Sequence, residues 1–251
     1  AEEAEALLQK SVRLAQEARD MYMAERPAEE PEPLVAASIG PYGAYLADGS
    51  EYRGDYDVDE DALTAFHAGR LALLAEAKPD LLACETLPCL VEARAIVRAL
   101  RQEDIHIHAW FSFSCRDVAH ISDGTEITAC ARFLNDVPEA AAIGLNCTAP
   151  QYVEELIRAI RSETAKPIVV YPNSGEYYDA AARVWRGTAE DFGARSREYA
   201  AAGARIIGGC CRTTPHDTAS IAAWVKAGRK RGDGDGDRVR GGSSARRTRH
   251  A

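Results

Sequence analysis

The sequence predicts an α/β protein in which helices cover a parallel sheet. Six short apolar runs alternate with segments of helical periodicity, the pattern of strands joined by helices. At 251 residues, with 46% hydrophobic and 27% charged residues, the chain has the size and balance of one large globular domain or two small ones. Polar or cysteine-containing motifs follow most of the apolar runs. A doubly wound sheet and a (β/α)8 TIM-type barrel both fit the alternation, but all these motifs can converge only on a closed rim, which favours the barrel.

The first predicted helix spans 2–25, where Leu8, Val12 and Ala15 recur at spacings of four and three residues. A connection rich in proline and glutamate follows at 26–33. The predicted strands are 34–39, 81–85, 106–114, 141–147, 168–171 and 204–208. The helices that follow them are predicted at 59–77, 88–100, 126–134, 151–161, 188–203 and 215–227.

Local signals mark several of these helix starts. Asp59 is a predicted N-cap, and Glu60 stands in the first turn, where negative charge is favourable. Pro88 is predicted to open the next helix. Thr188, with Asp191 three residues further on, resembles a capping box.

The number of strands predicts an incomplete barrel. A barrel of this type has eight strands, whereas six are predicted here, and a helix rather than a strand opens the chain. We therefore expect about six of the eight βα units in a domain at 1–227. A six-stranded sheet of this kind leaves two open edges, which favour self-association. The segment 228–251 is rich in glycine, arginine and aspartate without an apolar face, and is predicted to be a disordered basic tail.

The charge distribution argues against a nucleic-acid partner. The net charge is −9, and 228–251 alone carries +5 from eight basic and three acidic residues, so the remainder carries −14. An acidic body does not bind a phosphate backbone. No apolar run approaches the roughly 18 residues of a membrane span, and the acidic N-terminus lacks a signal-peptide pattern. We expect a cytoplasmic protein without nucleic-acid or membrane partners.

Three of the seven cysteines stand where predicted strands end. Cys147 closes the run at 141–147, and Cys210 and Cys211 follow the run at 204–208. Three thiolates at one rim, with one position open, match a catalytic zinc site better than a structural one. Sulfur-rich ligation favours zinc among the common metals. The alternatives are packing for Cys147 and a redox-active pair for Cys210 and Cys211.

Two polar residues at strand ends are candidate substrate-binding residues. Glu85 ends an otherwise apolar strand, where a carboxylate needs a positive partner or hydrogen bonds. The alternative is that Glu85 caps the next helix. Asn146 precedes Cys147 and is a candidate either for orienting a substrate or for a purely structural role.

Three motifs resemble those of one known family. Residues 144–147 (Gly-Leu-Asn-Cys) and 208–211 (Gly-Gly-Cys-Cys) resemble the homocysteine S-methyltransferase family. The stretch 37–52 resembles the branch that uses S-methylmethionine or S-adenosylmethionine as the methyl donor. The resemblance extends over about 1–227, and it implies a TIM-type barrel that binds homocysteine.

The resemblance also implies roles for individual residues. Cys147, Cys210 and Cys211 would hold zinc. The family's matching glutamate binds the amino group of homocysteine, which implies that role for Glu85. Asn173 lies in a loop that resembles a rim loop of the family, and is a candidate for the substrate pocket. The family's first two strands, which carry an Asp-Gly-Gly motif for homocysteine, have no counterpart here, so the chain is expected to be truncated at its N-terminus.

The predicted function is zinc-dependent transfer of a methyl group from a sulfonium donor to homocysteine, which forms methionine. Zinc would keep the homocysteine thiol deprotonated while the methyl group is transferred in line. Tyr42, Tyr45 and Asp48 are candidates for facing the sulfonium cation, with loop packing as the alternative. A non-catalytic, zinc-binding remnant of the family is the alternative function. A cobalamin-linked methyl transfer is a lesser alternative, because the sequence contains no recognisable cobalamin-binding domain.

Overall fold

The structure of the protein is a computed structural model, which describes residues 2–27, 30–179 and 182–235. Six parallel strands form the main sheet: β1 (Ala36–Ile39), β2 (Leu81–Leu87), β3 (Ala109–Phe113), β4 (Ala140–Asn146), β5 (Ile168–Tyr171) and β8 (Ala204–Ile207). Between β5 and β8 lies an antiparallel hairpin of β6 (Tyr177–Asp179) and β7 (Val184–Arg186). The helices are α1 (Glu2–Glu25), α2 (Tyr42–Leu46), α3 (Glu60–Glu76), α4 (Leu90–Gln102), α5 (Ile127–Asn135), α6 (Val153–Glu163), α7 (Phe192–Ala202) and α8 (Pro215–Asp235).

The strand order distinguishes the two predicted architectures. The strands lie in the order β1-β2-β3-β4-β5-β8, so the chain always adds the next strand of the main sheet on the same side. A doubly wound sheet reverses its order at a switch point, and no reversal occurs among the described strands. Right-handed crossovers in one direction put every connecting helix on one face of the sheet. The chain therefore forms six consecutive βα units of a (β/α)8-type barrel, which confirms the predicted fold class.

The two faces of the sheet have different compositions. Residues that face the helices, such as Ile39, Cys84 and Phe111, are fully buried and apolar. Alternate residues point to the opposite face, which is the inner face of the barrel, because side chains alternate along a strand. Towards the carboxyl ends of the strands this inner face is polar. Its residues there are Ser38, Glu85, Ser112, Asn146 and Tyr171.

The helices bury one apolar face each against the sheet. In α4, Ala93, Ile96 and Leu100 recur at spacings of three and four and are all fully buried. Helix α1 packs on α3, and Gln16 Nε2 donates to the carbonyl oxygen of Ala77 at 3.0 Å. None of the described helices has both the length and the apolar composition that a membrane span requires.

The structure differs from the predicted elements at four main places. The loop after β1 contains α2 and a 3-10 turn at Ser50–Tyr52, and the β6–β7 hairpin interrupts the connection to α7. The predicted capping box at Thr188 is wrong, because Asp191 is itself the N-cap of α7 and accepts from the backbone N–H of Ala194 at 3.0 Å. Helix α8 runs into the segment predicted to be disordered, and the rest of that segment, 236–251, lies outside the described residues.

Gly144 allows β4 and β5 to approach closely. A Cβ atom at this position would lie 1.6 Å from the carbonyl oxygen of Val169 on β5. We predict that Gly144→Ala lowers the free energy of unfolding by about 1–3 kcal/mol, because the backbone of a packed sheet must shift to admit the methyl group. Urea denaturation of the two proteins measures this difference.

A matched control is Gly69→Ala in α3. A Cβ atom at Gly69 meets no other heavy atom within 4 Å. Because alanine is the better helix former, this variant should be more stable than the parent by up to about 1 kcal/mol. Equal stabilities of the Gly144→Ala protein and its parent would contradict the close approach of β4 and β5.

Candidate functional site

Three cysteine side chains meet at the carboxyl end of the sheet. Cys147 directly follows β4, and Cys210 and Cys211 lie in the turn between β8 and α8. The Sγ atom of Cys147 lies 2.7 Å from that of Cys210 and 3.9 Å from that of Cys211. All three sulfur atoms lie within 4.8 Å of one another, and all three residues are half-buried. We call these residues the thiol cluster.

Three non-glycine residues at the carboxyl end of the sheet have left-handed backbone. The φ angle is 61° at Thr86, 49° at Cys147 and 68° at Arg212. A non-glycine residue in this region costs roughly 1–3 kcal/mol, and persists only where its surroundings hold it. The contacts that hold Cys147 and the Cys210–Cys211 pair are therefore part of the site.

A loop after β5 holds the Cys210–Cys211 pair through its backbone. The N–H of Cys210 donates to the carbonyl oxygen of Pro172 at 2.8 Å, and the N–H of Cys211 donates to Asn173 Oδ1 at 3.2 Å. In return, the N–H of Ser174 donates to the carbonyl oxygen of Cys211 at 3.0 Å. Asn173, a predicted substrate-binding residue, thus positions a thiol in this structure.

An ion pair adds a side-chain contact between the same two segments. Arg212 Nε lies 3.2 Å from Glu176 Oε2, and the hydrogen bond from Arg212 lowers the pKa of Glu176. Gly209, directly before the Cys210–Cys211 pair, packs against Thr213. A Cβ atom on Gly209 would lie 2.3 Å from Thr213 Oγ1. The turn that carries Cys210 and Cys211 is therefore fixed on both sides.

Asn146, the other predicted amide, crosslinks three strand ends. Its Oδ1 accepts from the backbone N–H of Thr86 at 2.7 Å and from Ser112 Oγ at 2.8 Å. Its Nδ2 donates to Thr86 Oγ1 at 2.8 Å, and the residue is 1% exposed. Thr148, two residues after Asn146, accepts from the N–H of Cys115 at 3.1 Å and is equally buried. Cys147 therefore lies between two fixed neighbours.

Glu85 lies on the inner face at the end of β2 and accepts two hydrogen bonds. Ser38 Oγ donates to Oε1 at 2.5 Å, and Tyr171 Oη donates to Oε2 at 2.9 Å. Tyr171 also accepts from Trp110 Nε1 at 2.9 Å and lies 2.5 Å from Ser112 Oγ. The carboxylate is half-buried, and within the described residues no basic group forms an ion pair with it. It can therefore receive a cation from a ligand.

Tyr171 connects Glu85 to the thiol cluster. It ends β5 in register with Asn146, and its carbonyl oxygen accepts from the N–H of Cys147 at 3.3 Å. Burial raises the pKa of its hydroxyl, and the negative charge of Glu85 raises it further, so the hydroxyl stays protonated and can donate. Tyr171 was not among the residues predicted from the sequence, although it ends a strand as Glu85 does.

Protons are distributed unequally over the thiol cluster. Hydrogen bonds to Cys210 and Cys211, followed by burial, raise the pKa of Cys147. Hydrogen bonds from Cys147 and Cys210 lower the pKa of Cys211 to about 3. Three adjacent thiols cannot all ionise without a cation, since like charges repel at these distances. A bound metal would displace the remaining protons.

The donor set fits a thiophilic metal ion. Among the described residues, the cluster consists of three sulfur atoms without a carboxylate or an imidazole. Thiolates select soft metals such as zinc, and three protein ligands leave a fourth position for a substrate. The three cysteines predicted as metal ligands are thus the ones that the fold brings together.

The loop between β1 and α3 lies across the rim of the sheet beside this cluster. Ser114 Oγ, after β3, donates to the carbonyl oxygen of Glu51 at 3.4 Å. The next residue, Tyr52, is 49% exposed, and its pKa is raised first by partial burial and then by electrostatic interaction with Cys147 and Cys211. Tyr52 therefore shares the electrostatic environment of the thiols. The sequence analysis did not single it out, because a tyrosine in a long loop has no periodic signal.

The loop residues that the sequence analysis did single out have other partners. The rings of Tyr42 and Tyr45 lie 5.0 and 5.5 Å from the ring of Phe66 on α3. Asp48 accepts from the backbone N–H of Ser50 at 2.9 Å within a local turn. These contacts favour the loop-packing alternative for the three residues.

Comparisons with known proteins agree with this geometry. A sequence model described as homocysteine S-methyltransferase matches residues 1–225. Homocysteine S-methyltransferase YbgG of Bacillus subtilis is 52% identical over 229 residues, which are 90% of this chain and 72% of that protein. Homocysteine S-methyltransferase of Escherichia coli is 46% identical over 224 residues, which are 88% of this chain and 72% of that protein.

Solved structures show the same likeness. The crystal structure of the metallated form of homocysteine methyltransferase MmuM from Escherichia coli superposes with a TM-score of 0.78 at 44% identity, covering 87% of this chain and 70% of that chain. The oxidised form of the same enzyme gives a TM-score of 0.77 at 45% identity. The metallated form of that relative holds a metal, and the thiol cluster of this chain offers three sulfur donors within 4.8 Å of one another.

The thiol cluster makes a direct prediction about metal content. Cys147→Ala should lower the bound metal from about one ion per chain to a small fraction of that, because two thiolates bind far more weakly than three. Elemental analysis of the purified proteins measures the content. Cys130→Ala is the matched control, since Cys130 is buried in α5 outside the cluster and its loss should leave the metal in place. Equal metal content in the Cys147→Ala protein and the parent would remove Cys147 from the site.

Proposed function

The chain belongs to the homocysteine S-methyltransferase family, and we propose that it transfers a methyl group from S-methylmethionine or S-adenosylmethionine to homocysteine with the help of zinc. The observation that carries this proposal is the convergence of Cys147, Cys210 and Cys211 at the rim of the sheet. The half-buried carboxylate of Glu85 lies on the same inner face, and Tyr171 links the two groups.

Cys147, Cys210 and Cys211 would hold the zinc ion. When bound, zinc supplies a positive charge that lowers the pKa of the homocysteine thiol and keeps it as the nucleophilic thiolate. The left-handed turn at Cys147 and the loop at Pro172–Ser174 keep the three ligands together. The protein thus provides a fixed ligand set, so little reorganisation is needed when substrate binds.

Glu85 would bind the ammonium group of homocysteine. Its carboxylate already accepts from Ser38 and Tyr171, and these two hydroxyl groups orient it towards the inner face. A carboxylate also has lone pairs left for an ammonium donor. With its ammonium at Glu85 and its sulfur at the thiol cluster, the amino acid is held at both ends, and binding at two points fixes the direction of the nucleophile.

The transfer itself needs no covalent enzyme intermediate. The homocysteine thiolate attacks the donor methyl carbon, a C–S bond forms, and the C–S bond to the sulfonium sulfur breaks. The electron pair stays on that sulfur, which leaves as a neutral thioether, and the thiol proton has already been released to solvent. The products are methionine and the demethylated donor. Alignment and thiolate activation supply the acceleration.

Two further expectations belong to this proposal. A cytoplasmic location and self-association through the edges of the sheet both stay predictions. Asn146 and Asn173 would act on the substrate through the residues that they position rather than by direct contact.

The rival function is a zinc-binding protein without methyltransferase activity, which the following experiment distinguishes from the proposed one.

Metal removal tests the proposed function. The protein is assayed for methionine formation from homocysteine with each sulfonium donor, before and after treatment with a chelator. We expect activity with at least one donor, its loss on chelation as the thiolate is no longer stabilised, and its return with added Zn²⁺. Protein that binds zinc but forms no methionine from either donor would support the rival function instead.

Substitution of Glu85 tests the substrate site. Glu85→Gln should lower kcat/KM for homocysteine by roughly 10- to 100-fold, because a hydrogen bond to a charged group contributes about 1.5–3 kcal/mol. Metal content should not change, since Glu85 is not a ligand. The matched control is Glu139→Gln, which removes a carboxylate paired with Arg101 at the opposite end of the strands. If homocysteine kinetics are unchanged in the Glu85 variant, Glu85 is structural.

A further inference from the structure

A buried polar network lies between α3, α4 and the loop after β1, and the proposed chemistry does not use it. Glu92 on α4 and His67 on α3 are both 0% exposed, and His67 Nε2 lies 2.9 Å from Glu92 Oε1. Arg70 Nη2 lies 3.0 Å from His67 Nδ1. Burial lowers the pKa of His67, so the neutral ring accepts from Arg70 and donates to Glu92.

The outward contacts of this network go to the loop rather than to the helices. Glu92 Oε1 accepts from the backbone N–H of Tyr42 at 2.5 Å, and Arg70 Nη2 donates to the carbonyl oxygen of Gly40 at 2.6 Å. Tyr56 Oη accepts from the N–H of Gly43 at 3.0 Å, and the charge of Glu92, after burial, raises the pKa of Tyr56. The loop backbone at Gly40, Tyr42 and Gly43 is thus held by side chains from α3, from α4 and from the loop itself.

The helices themselves gain little from a buried charge at this position. A buried ion network costs desolvation energy, and apolar side chains of similar volume stabilise helix packing equally well or better. Glu92 Oε2 has no hydrogen-bond partner within the described residues, so the carboxylate is not fully compensated. The backbone N–H of Tyr42 needs an acceptor, because no strand or long helix supplies one at this point of the loop.

The segment held in this way, 40–56, also contacts Ser114 at the end of β3, the strand next to the one that carries Cys147. Gly43 packs against the backbone of Glu51. A Cβ atom on Gly43 would lie 2.3 Å from the backbone nitrogen of Glu51, so the start and the middle of the segment are in contact. Ser114 Oγ donates to the carbonyl oxygen of Glu51 at 3.4 Å, and the N–H of the next residue, Cys115, donates at 3.1 Å to Thr148 Oγ1, directly after Cys147. Glu51 Oε2 is buried without a hydrogen-bond partner within the described residues. An acidic and an aromatic residue beside the thiols are suited to a sulfonium cation.

We propose that Glu92 is a positioning residue which, with His67 and Arg70, fixes the segment 40–56 over the thiol cluster and so sets the affinity for the sulfonium methyl donor. This inference rests on the proposed function. Homocysteine would be held by Glu85 and the thiol cluster, whose hydrogen bonds come from Ser38, Tyr171 and the loop after β5 and not from the network. The network therefore acts on one substrate and not on the other.

The experiment measures both KM values in Glu92→Ala protein. We expect KM for S-methylmethionine to rise roughly 10- to 100-fold, the scale of a small misplacement, with KM for homocysteine within about twofold of the parent. Metal content should be unchanged. Hydrogen exchange should become faster in peptides that cover 40–56 and not in those from β2 and β3, because only the loop loses its acceptor. Glu92→Gln, which keeps an oxygen facing Tyr42 N–H, should recover most of the donor affinity.

Two further variants, Tyr56→Phe and Asp61→Asn, test the role of the network independently of the Glu92→Ala protein. Tyr56→Phe removes the acceptor for Gly43 N–H without emptying the buried site, and should raise the donor KM in the same direction if the Glu92→Ala protein does not fold. Asp61→Asn breaks the surface pair with Arg98 between α3 and α4, and should change neither KM. A folded variant with unchanged donor KM, or with both KM values raised equally, would overturn the role of the network. Parent protein that forms no methionine from any sulfonium donor would overturn the proposed function.

Discussion

The hydrogen-bonded layer on the inner face of the sheet is the constraint on which the rest of the site depends. Ser38, Glu85, Tyr171, Ser112 and Asn146 come from five strands and form one continuous chain of contacts. Polar groups inside a barrel are costly unless each has a partner, and in such networks every bond strengthens its neighbours. The layer therefore fixes the strand ends relative to one another, and these ends carry the functional groups. It also allows the strained turn at Cys147, because Asn146 and Thr148 hold the backbone on both sides.

The fold and the thiols could be predicted from the sequence because both follow from local pattern. Apolar runs of strand length in alternation with helices define parallel units, and the cysteines stand directly after two of these runs. Parallel strands point their carboxyl ends to one edge, so Cys147 and the Cys210–Cys211 pair had to converge once the winding direction was known. The order of the strands itself does not follow from periodicity. It follows from the convergence of the motifs, and the structure shows it directly.

The parts that could not be predicted depend on contacts between distant segments. Tyr171 bonds to Glu85 across 86 positions of sequence, and no spacing rule relates the two. Asn173 was selected as a substrate residue, whereas its side chain accepts from the backbone of Cys211, 38 positions away. The start of α7 was misplaced because Thr188 and Asp191 are both good caps, and only the bond to Ala194 shows which one is used. Residue type indicates what a side chain can do, but tertiary contacts decide which of these roles it takes.

The two sides of the rim are held by separate supports. The inner layer, from the strands, fixes Glu85 and the thiols, whereas the Glu92–His67–Arg70 network, from the helices, fixes the loop after β1. The two supports meet at the end of β1, where Ser38 donates to Glu85 and Gly40, two residues further on, accepts from Arg70. A reaction that joins two substrates benefits from such a division, since each substrate can be positioned by contacts that the other does not disturb. Under the proposed function, changes in the buried network should therefore affect use of the donor and leave the thiols and Glu85 in place, because substitutions at well-separated sites have nearly additive effects.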